Sequence, residues 1–177
     1  MTRRIVVTGS ESTGKTTLAR ELAAALGTIW VPEYARDYAA VRDGVLTVDD
    51  VEPIGRGQAE REDATIALVP AGRDIVLDTD LVSTMIYGEH YYGYCPPWVR
   101  EQAVLRRGNL YLLSATDLPW EADGVRDQPL ARHELHAKFA AQLIAMGARV
   151  LPVQGTGARR LETALAAVRG WRATTVR

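Results

Sequence analysis

Cysteine is nearly absent from this 177-residue chain, and lysine is almost as scarce. The single thiol, Cys95, excludes an internal disulfide and any multi-cysteine zinc site, which points to a reducing, cytoplasmic setting. Excess charge is missing as well: the formal net charge is -1, and the 21 basic residues are spread along the chain with no dense cationic stretch. No nucleic-acid or membrane surface is therefore expected as the main partner, whereas a small soluble molecule is, with self-association left open. Long apolar runs are lacking. The apolar run at 5–7 is far too short for a signal-peptide core and no span approaches transmembrane length, so a soluble protein is expected. Histidine is sparse too: His133-Glu134-Leu135-His136 misses the H-E-x-x-H zinc spacing and reads as a solvated helix face with a Glu134–Lys138 pair.

The shortage of lysine is informative. Of the 21 basic residues 19 are arginine, and only Lys15 and Lys138 are lysine. A lysine kept against that bias marks a place needing a compact ammonium on a thin stem rather than a planar guanidinium. Lys15 belongs to Gly9-Ser10-Glu11-Ser12-Thr13-Gly14-Lys15-Thr16, a full match to the phosphate-loop pattern G-x-x-x-x-G-K-[ST]. The motif follows the short apolar run Ile5-Val6-Val7 and opens a helical pattern, Leu18/Leu22/Leu26, that stops at Gly27. Glycines let such a loop curl so that backbone N–H groups point inward, and the helix N-terminus adds a positive dipole end. ATP and Mg²⁺ are the implied cofactors. Gly9, Glu11, Ser12, Thr13, Gly14, Lys15, Thr16 and Thr17 are the expected nucleotide contacts, with Lys15 on the β- and γ-phosphates and the Thr16 hydroxyl on the metal.

The remaining chain repeats this rhythm. Apolar strand candidates at 28–31, 74–77, 110–113 and 149–153 alternate with helical patterns at 48–69, 81–89, 135–143 and 161–168. Strands buried on both faces read as continuous apolar runs, so the expectation is an α/β fold of the P-loop NTPase type: about five parallel strands with helices on both faces. One domain over 1–177 is expected, with a polar segment at 117–129 as a lid.

A second carboxylate is required near the phosphates, and Asp74-Ile75-Val76-Leu77-Asp78-Thr79-Asp80 supplies one at a strand end. Asp78 is the expected metal ligand. Strand alternation would aim Asp80 the same way, towards substrate hydroxyls or the metal shell, while a helix N-cap is the equal alternative for it. A guanine-reading N-K-x-D segment is missing after the fourth strand, where Ser114-Ala115-Thr116-Asp117 stands, which disfavours a GTPase. With no second domain to carry an arginine finger expected, a multi-subunit ATPase is disfavoured too.

Four segments together resemble one family: Gly9 to Leu18; Glu33-Tyr34-Ala35-Arg36-Asp37-Tyr38; Asp78-Thr79-Asp80 with Thr84; and Trp120-Glu121-Ala122-Asp123-Gly124-Val125-Arg126. In this order they are similar to the ribosylnicotinamide kinase domain of the bacterial bifunctional NAD-biosynthesis and regulatory protein, within the nucleoside and nucleotide kinase superfamily. The resemblance runs from about Arg4 to Val153. The larger relatives also carry a nucleotidyltransferase domain with paired histidines and a DNA-binding helix-turn-helix, and His90, His133 and His136 form no such pair, so a kinase alone is expected.

In that superfamily the end of the second strand meets the acceptor. The resemblance thus implies Trp30, Glu33, Tyr34, Arg36, Asp37 and Tyr38 as substrate-binding, with Asp80 beside them. Glu33 is the first choice for the carboxylate that orients the attacking hydroxyl and accepts its proton, with Asp37 or Asp80 in reserve; the alternative is an acidic helix N-terminus. Six of the seven tyrosines fall in two segments, Tyr34/Tyr38 and Tyr87/Tyr91/Tyr92/Tyr94. The second is read as lying in a Gly/Pro-rich loop, forming an aromatic pocket that includes Tyr91 and Tyr92, or else a locally packed patch. Arg126 of the lid, with Arg132 second, is expected to contact ATP and stabilise the transferring group. The reading is an ATP- and Mg-dependent kinase acting on the 5′-hydroxyl of a small nucleoside, nicotinamide riboside first. Its alternatives are a kinase of another nucleoside, a nucleotide or a polynucleotide 5′-end, or a non-catalytic ATP-binding switch.

Overall fold

The computed structural model describes residues 2–42, 44–120 and 132–175. Strands β1 (Arg3–Thr8), β2 (Trp30–Val31), β3 (Asp74–Asp78), β4 (Leu110–Ser114) and β5 (Val150–Val153) form one sheet in the order β2-β3-β1-β4-β5, and every pairing is parallel. Helices α1 (Lys15–Leu26) and α7 (Gly157–Thr175) cover one face. The other carries α3 (Val51–Leu68), α4 (Leu81–Tyr92), α5 (Pro97–Leu105) and α6 (Arg132–Ala145), with a short α2 (Tyr34–Ala40) ahead of α3. No helix among the described residues is long and apolar enough to cross a membrane.

Alternation along the strands divides the core in two. Ile5, Val7, Val76, Leu110 and Leu112 pack with Leu18 and Leu22 of α1 and Val168 of α7. Val6, Ile75, Leu77, Tyr111 and Leu113 pack with Met85, Val99 and Phe139 on the opposite face. Full burial of each aliphatic side chain contributes about 1.5–3 kcal/mol, and because both strand faces are dry the sequence shows unbroken apolar runs.

Three elements differ from the sequence reading. Helix α2 entered it only as the acidic helix N-terminus weighed against a catalytic Glu33, because just Ala35 and Ala39 are buried, too weak an apolar signal for seven residues. Helix α5 begins at Pro97, whose fixed φ suits the first helical position, so a Pro-Pro pair that reads as a loop is a helix start with Val99 and Ala103 inward. As a result Tyr91 and Tyr92 lie in the last turn of α4, and only Tyr94, about half exposed, stays in the connecting loop.

Strand order places the chemistry. The chain leaves β1 for the β2 edge, returns through β3, then crosses to β4 and β5, so the crevice opens at the carboxyl ends of β1 and β3. The phosphate-loop motif follows β1, and Asp78 ends β3 in register with Val7.

Candidate active site

The loop between β1 and α1 is held in its curled form by its own groups. Gly9 has φ 133°, and a β-carbon there would stand 3.0 Å from the Ser114 carbonyl oxygen, so only glycine fits. Ser12 and Gly14 also adopt positive φ, the Thr13 hydroxyl donates to the Ser10 carbonyl at 2.8 Å, and Lys15 Nζ donates to the same oxygen at 2.7 Å. Two arginines brace the loop from outside: Arg132 donates to the Ser12 carbonyl at 3.0 Å and Arg160 to the Thr13 carbonyl at 2.9 Å.

Two cavities adjoin here, one of them built on this loop. One, of about 590 Å³, runs from Glu11 through Leu18 to Leu118, Pro119, Gly157 and Arg160, and includes Arg36. The other, of about 430 Å³, lies between α3, α4 and the loop before α3, lined by Val45, Gln58, Thr79, Ser83, Tyr87, Tyr91 and Tyr92 among others. Glu33 lines both. It is buried at the N-cap of α2, whose first N–H is held by Gln58 Oε1 at 2.8 Å, while Arg61 donates to the carbonyls of Pro32 and Glu33 at 3.4 Å each. The carboxylate-bearing residue therefore stands on a backbone clamped from α3.

Across the junction, Asp78 is buried and its Oδ1 has no hydrogen-bond partner. Burial and the nearby Glu33 charge push its carboxyl up to about 6, against the opposing pull of the Thr16 hydroxyl, Lys15 and Arg36. An orphaned buried carboxylate oxygen beside a phosphate loop suits a cation. Among the described residues no group of three or more His, Cys, Asp or Glu is placed to hold a metal ion. Mg²⁺ needs no such cage, since it keeps waters and phosphate oxygens and takes one or two protein ligands.

A stability prediction follows. Between the ordinary Asp range near 3.8 and about 6 the native state holds more protons at Asp78 than the unfolded chain. The resulting advantage is complete at the acid end and is lost as pH rises through 6. In metal-free protein, Asp78→Asn should thus raise the melting temperature at pH 8, corresponding to about 1–3 kcal/mol, and change it little at pH 4. Thermal melts of both proteins across that range check it; equal differences at both ends would contradict the assignment.

The remaining predicted residues divide cleanly. Tyr91 and Tyr92 line the second cavity, Tyr87 and Tyr91 stack with ring centroids 6.0 Å apart, and the Tyr91 hydroxyl donates to Glu11 in the phosphate loop. Asp80 does not reach either cavity. It caps α4, accepting from the N–H groups of Val82 at 3.1 Å and Ser83 at 3.4 Å, and its other oxygen accepts the Tyr111 hydroxyl at 2.6 Å. The alternation that would have aimed it beside Asp78 fails because β3 ends there and Thr79 turns to φ 66°. Trp30 packs against the α1/α7 side of the sheet, remote from the tyrosines. Asp37 is largely exposed and pairs with Arg61 at 2.8 Å; Tyr34 lies on Gly57, and Tyr38 donates to Asp50 at 2.8 Å beneath Arg42. Trp30, Tyr34, Asp37 and Tyr38 line neither of the two cavities. Arg126 and most of the expected lid lie outside the described residues. Arg160 and Gln58 were missed, since isolated residues with no motif around them gave no signal, and Thr79, though part of the Asp78-Thr79-Asp80 segment, was given no role of its own.

A family model for AAA domains, AAA_28, matches residues 4–160. The chain belongs to that family. It is 34% identical over 128 residues to the trifunctional NAD biosynthesis/regulator protein NadR of Escherichia coli K12, an alignment covering 70% of this chain and 31% of NadR. Two solved NadR structures superpose on 96% of the chain and 49% of their own: one in complex with NR (TM-score 0.75, 27% identity) and one with NAD and AMP-PNP (0.74, 28%). The chain thus spans about half the length of those structures. Thymidylate kinase from Ehrlichia chaffeensis shares the fold, with TM-score 0.69 over 95% of this chain and 97% of its own at 13% identity. The AAA_28 domain described here thus carries its P-loop on a parallel-sheet fold that it shares with that thymidylate kinase, and the resemblance read from its motifs is to NadR.

Proposed function

We propose that this AAA_28 chain is an ATP- and Mg-dependent kinase that transfers the γ-phosphate to the 5′-hydroxyl of a small nucleoside, with nicotinamide riboside as acceptor. The observation that carries this reading is Glu33, which lines the wall shared by the phosphate-loop cavity and the tyrosine-lined cavity. A nucleoside lying among the tyrosines would direct its 5′-hydroxyl at that wall, and Glu33 would orient it and accept its proton as the γ-phosphate arrives. Lys15 would neutralise the β- and γ-phosphates, and backbone N–H groups of 11–16 would cradle them. Thr16 and Asp78 would hold Mg²⁺, which when bound offsets charge on the phosphate oxygens. Leu118, Pro119 and Gly157 would flank the base of ATP.

The choice of acceptor rests on the aromatic lining and the likeness to NadR. A fixed positive charge on a pyridinium is attracted by an aromatic face by about 0.5–2 kcal/mol, a several-fold to tens-fold preference over a neutral base. A coupled ADP-release screen over nicotinamide riboside, uridine, cytidine and a 5′-hydroxyl oligonucleotide tests it. Nicotinamide riboside should lead in kcat/KM, Tyr91→Leu or Tyr92→Leu should narrow its lead, and Trp30→Leu, on the far face of the sheet, should leave it unchanged. Faster turnover of the neutral nucleosides or the oligonucleotide would remove the nicotinamide assignment while keeping the kinase.

A further inference from the structure

The nucleotide cavity has two walls, and two arginines bridge them: Arg132 joins Ser12 to the Leu118 carbonyl, and Arg160 makes the larger tie. Arg160, in the first turn of α7, is only 4% exposed. Its Nη1 donates to Asp117 Oδ1 and to the Gly155 carbonyl, each at 2.7 Å. Its Nη2 donates to the Thr13 carbonyl at 2.9 Å and to the Ala115 carbonyl at 3.1 Å. A guanidinium has two N–H protons on each terminal nitrogen, so all four are used, in one plane, by acceptors from three loops. These are the phosphate loop, the segment leaving β4 and the segment leaving β5. Asp117 closes the set by accepting the Gly155 N–H at 2.6 Å through its other oxygen.

We propose that Arg160 is a positioning residue that fixes the base-side wall of the nucleotide cavity, residues 115–119 and 155–157, at its working distance from the phosphate loop. The inference rests on nucleotide binding in that cavity and is independent of the acceptor. Base and triphosphate are joined through a sugar of fixed reach, so ATP benefits from both walls only when their separation is set beforehand. The phosphate loop also keeps braces that do not involve Arg160: the Thr13 hydroxyl and Lys15 on the Ser10 carbonyl, and Arg132 on Ser12. Loss of the Arg160 tie should therefore release Ala115, Asp117 and Gly155 from the phosphate loop, leaving only the Arg132 link through Leu118, without dismantling the phosphate cradle. Lysine cannot replace it, because three donors on one nitrogen cannot serve four acceptors spread over two guanidinium nitrogens.

The test compares two ligands by calorimetry in the presence of Mg²⁺: AMP-PNP, which touches both walls, and tripolyphosphate, which has neither base nor sugar. In Arg160→Lys the affinity for AMP-PNP should fall about tenfold or more, and that for tripolyphosphate by less than about threefold. Should Arg160→Lys lose its cooperative melt, Asp117→Asn is measured in the same way. It keeps the side-chain shape while weakening the tie, and the loss should again be larger for AMP-PNP than for tripolyphosphate. Equal losses for the two ligands, or unchanged AMP-PNP binding, would overturn the proposal by reducing Arg160 to general support or to none. Because no acceptor enters the measurement, failure here leaves the kinase reading untouched, and failure of that reading leaves this result readable.

Discussion

Lys15→Ala should lower kcat/KM for phosphoryl transfer by at least about a thousandfold while the protein still melts cooperatively, within a few degrees of the wild type. The ammonium sits inside the phosphate loop with Nζ 2.7 Å from the Ser10 carbonyl, so the cation is already poised where the β- and γ-phosphates would lie. Its removal leaves growing charge on the transferred group without its nearest protein cation. The fold depends on it little, because the strand and helix on either side are anchored by Ile5, Val7, Leu18 and Leu22. Lys15→Arg should fail almost as badly: the residue is only 9% exposed, and a planar guanidinium has neither the space nor the point-charge geometry. ADP release and a thermal melt on the same preparations check both variants, and near-normal turnover in either would refute the role.

Glu33→Gln should cost about 100- to 10,000-fold in kcat with the KM for ATP nearly unchanged, since an isosteric amide keeps the packing and loses only the proton acceptor. Two other carboxylates serve as controls. Asp37 is exposed and paired with Arg61, so Asp37→Asn should stay within about twofold of the wild-type rate. Asp80→Ala should act on stability, by about 1–3 kcal/mol, because it uncaps α4 and leaves the Tyr111 hydroxyl without its acceptor. If Glu33→Gln keeps its rate and one of the controls loses it, the base lies elsewhere and the assignment falls.

What could be read from the sequence depended on how local the signal was. The phosphate loop, its helix and the parallel sheet were legible because the motif is contiguous and the strands are dry on both faces. Asp78 was legible because it ends an apolar strand. Asp80, two residues on, was read correctly only in its alternative role, since the positive φ at Thr79 breaks the alternation and nothing in a Thr-Asp pair announces that turn. Of the tyrosines read as an aromatic pocket, Tyr34 and Tyr38 line neither cavity, and Tyr91 and Tyr92 line one through a local structure other than the loop expected: they reach it from a helical turn, where the i, i+4 spacing of Tyr87 and Tyr91 lets their rings stack. Trp30 was taken as substrate-binding because the resemblance places the acceptor at the end of the second strand, but it sits beside β3 on an edge strand and packs on the face opposite Tyr87 and Tyr91. Arg160 was beyond reach, because its meaning depends on Thr13, Ala115 and Gly155, which only the folded sheet brings together.

The proposed function requires direct transfer from ATP to a nucleoside 5′-hydroxyl across the wall that Glu33 lines. Incubation of the protein with γ-labelled ATP, Mg²⁺ and nicotinamide riboside, followed by product analysis, tests it most directly. The label should appear on the 5′-oxygen of the riboside, one for each ADP formed, and should vanish with Lys15→Ala. ADP formed with the label in free phosphate, or no ADP with any nucleoside offered, would contradict it.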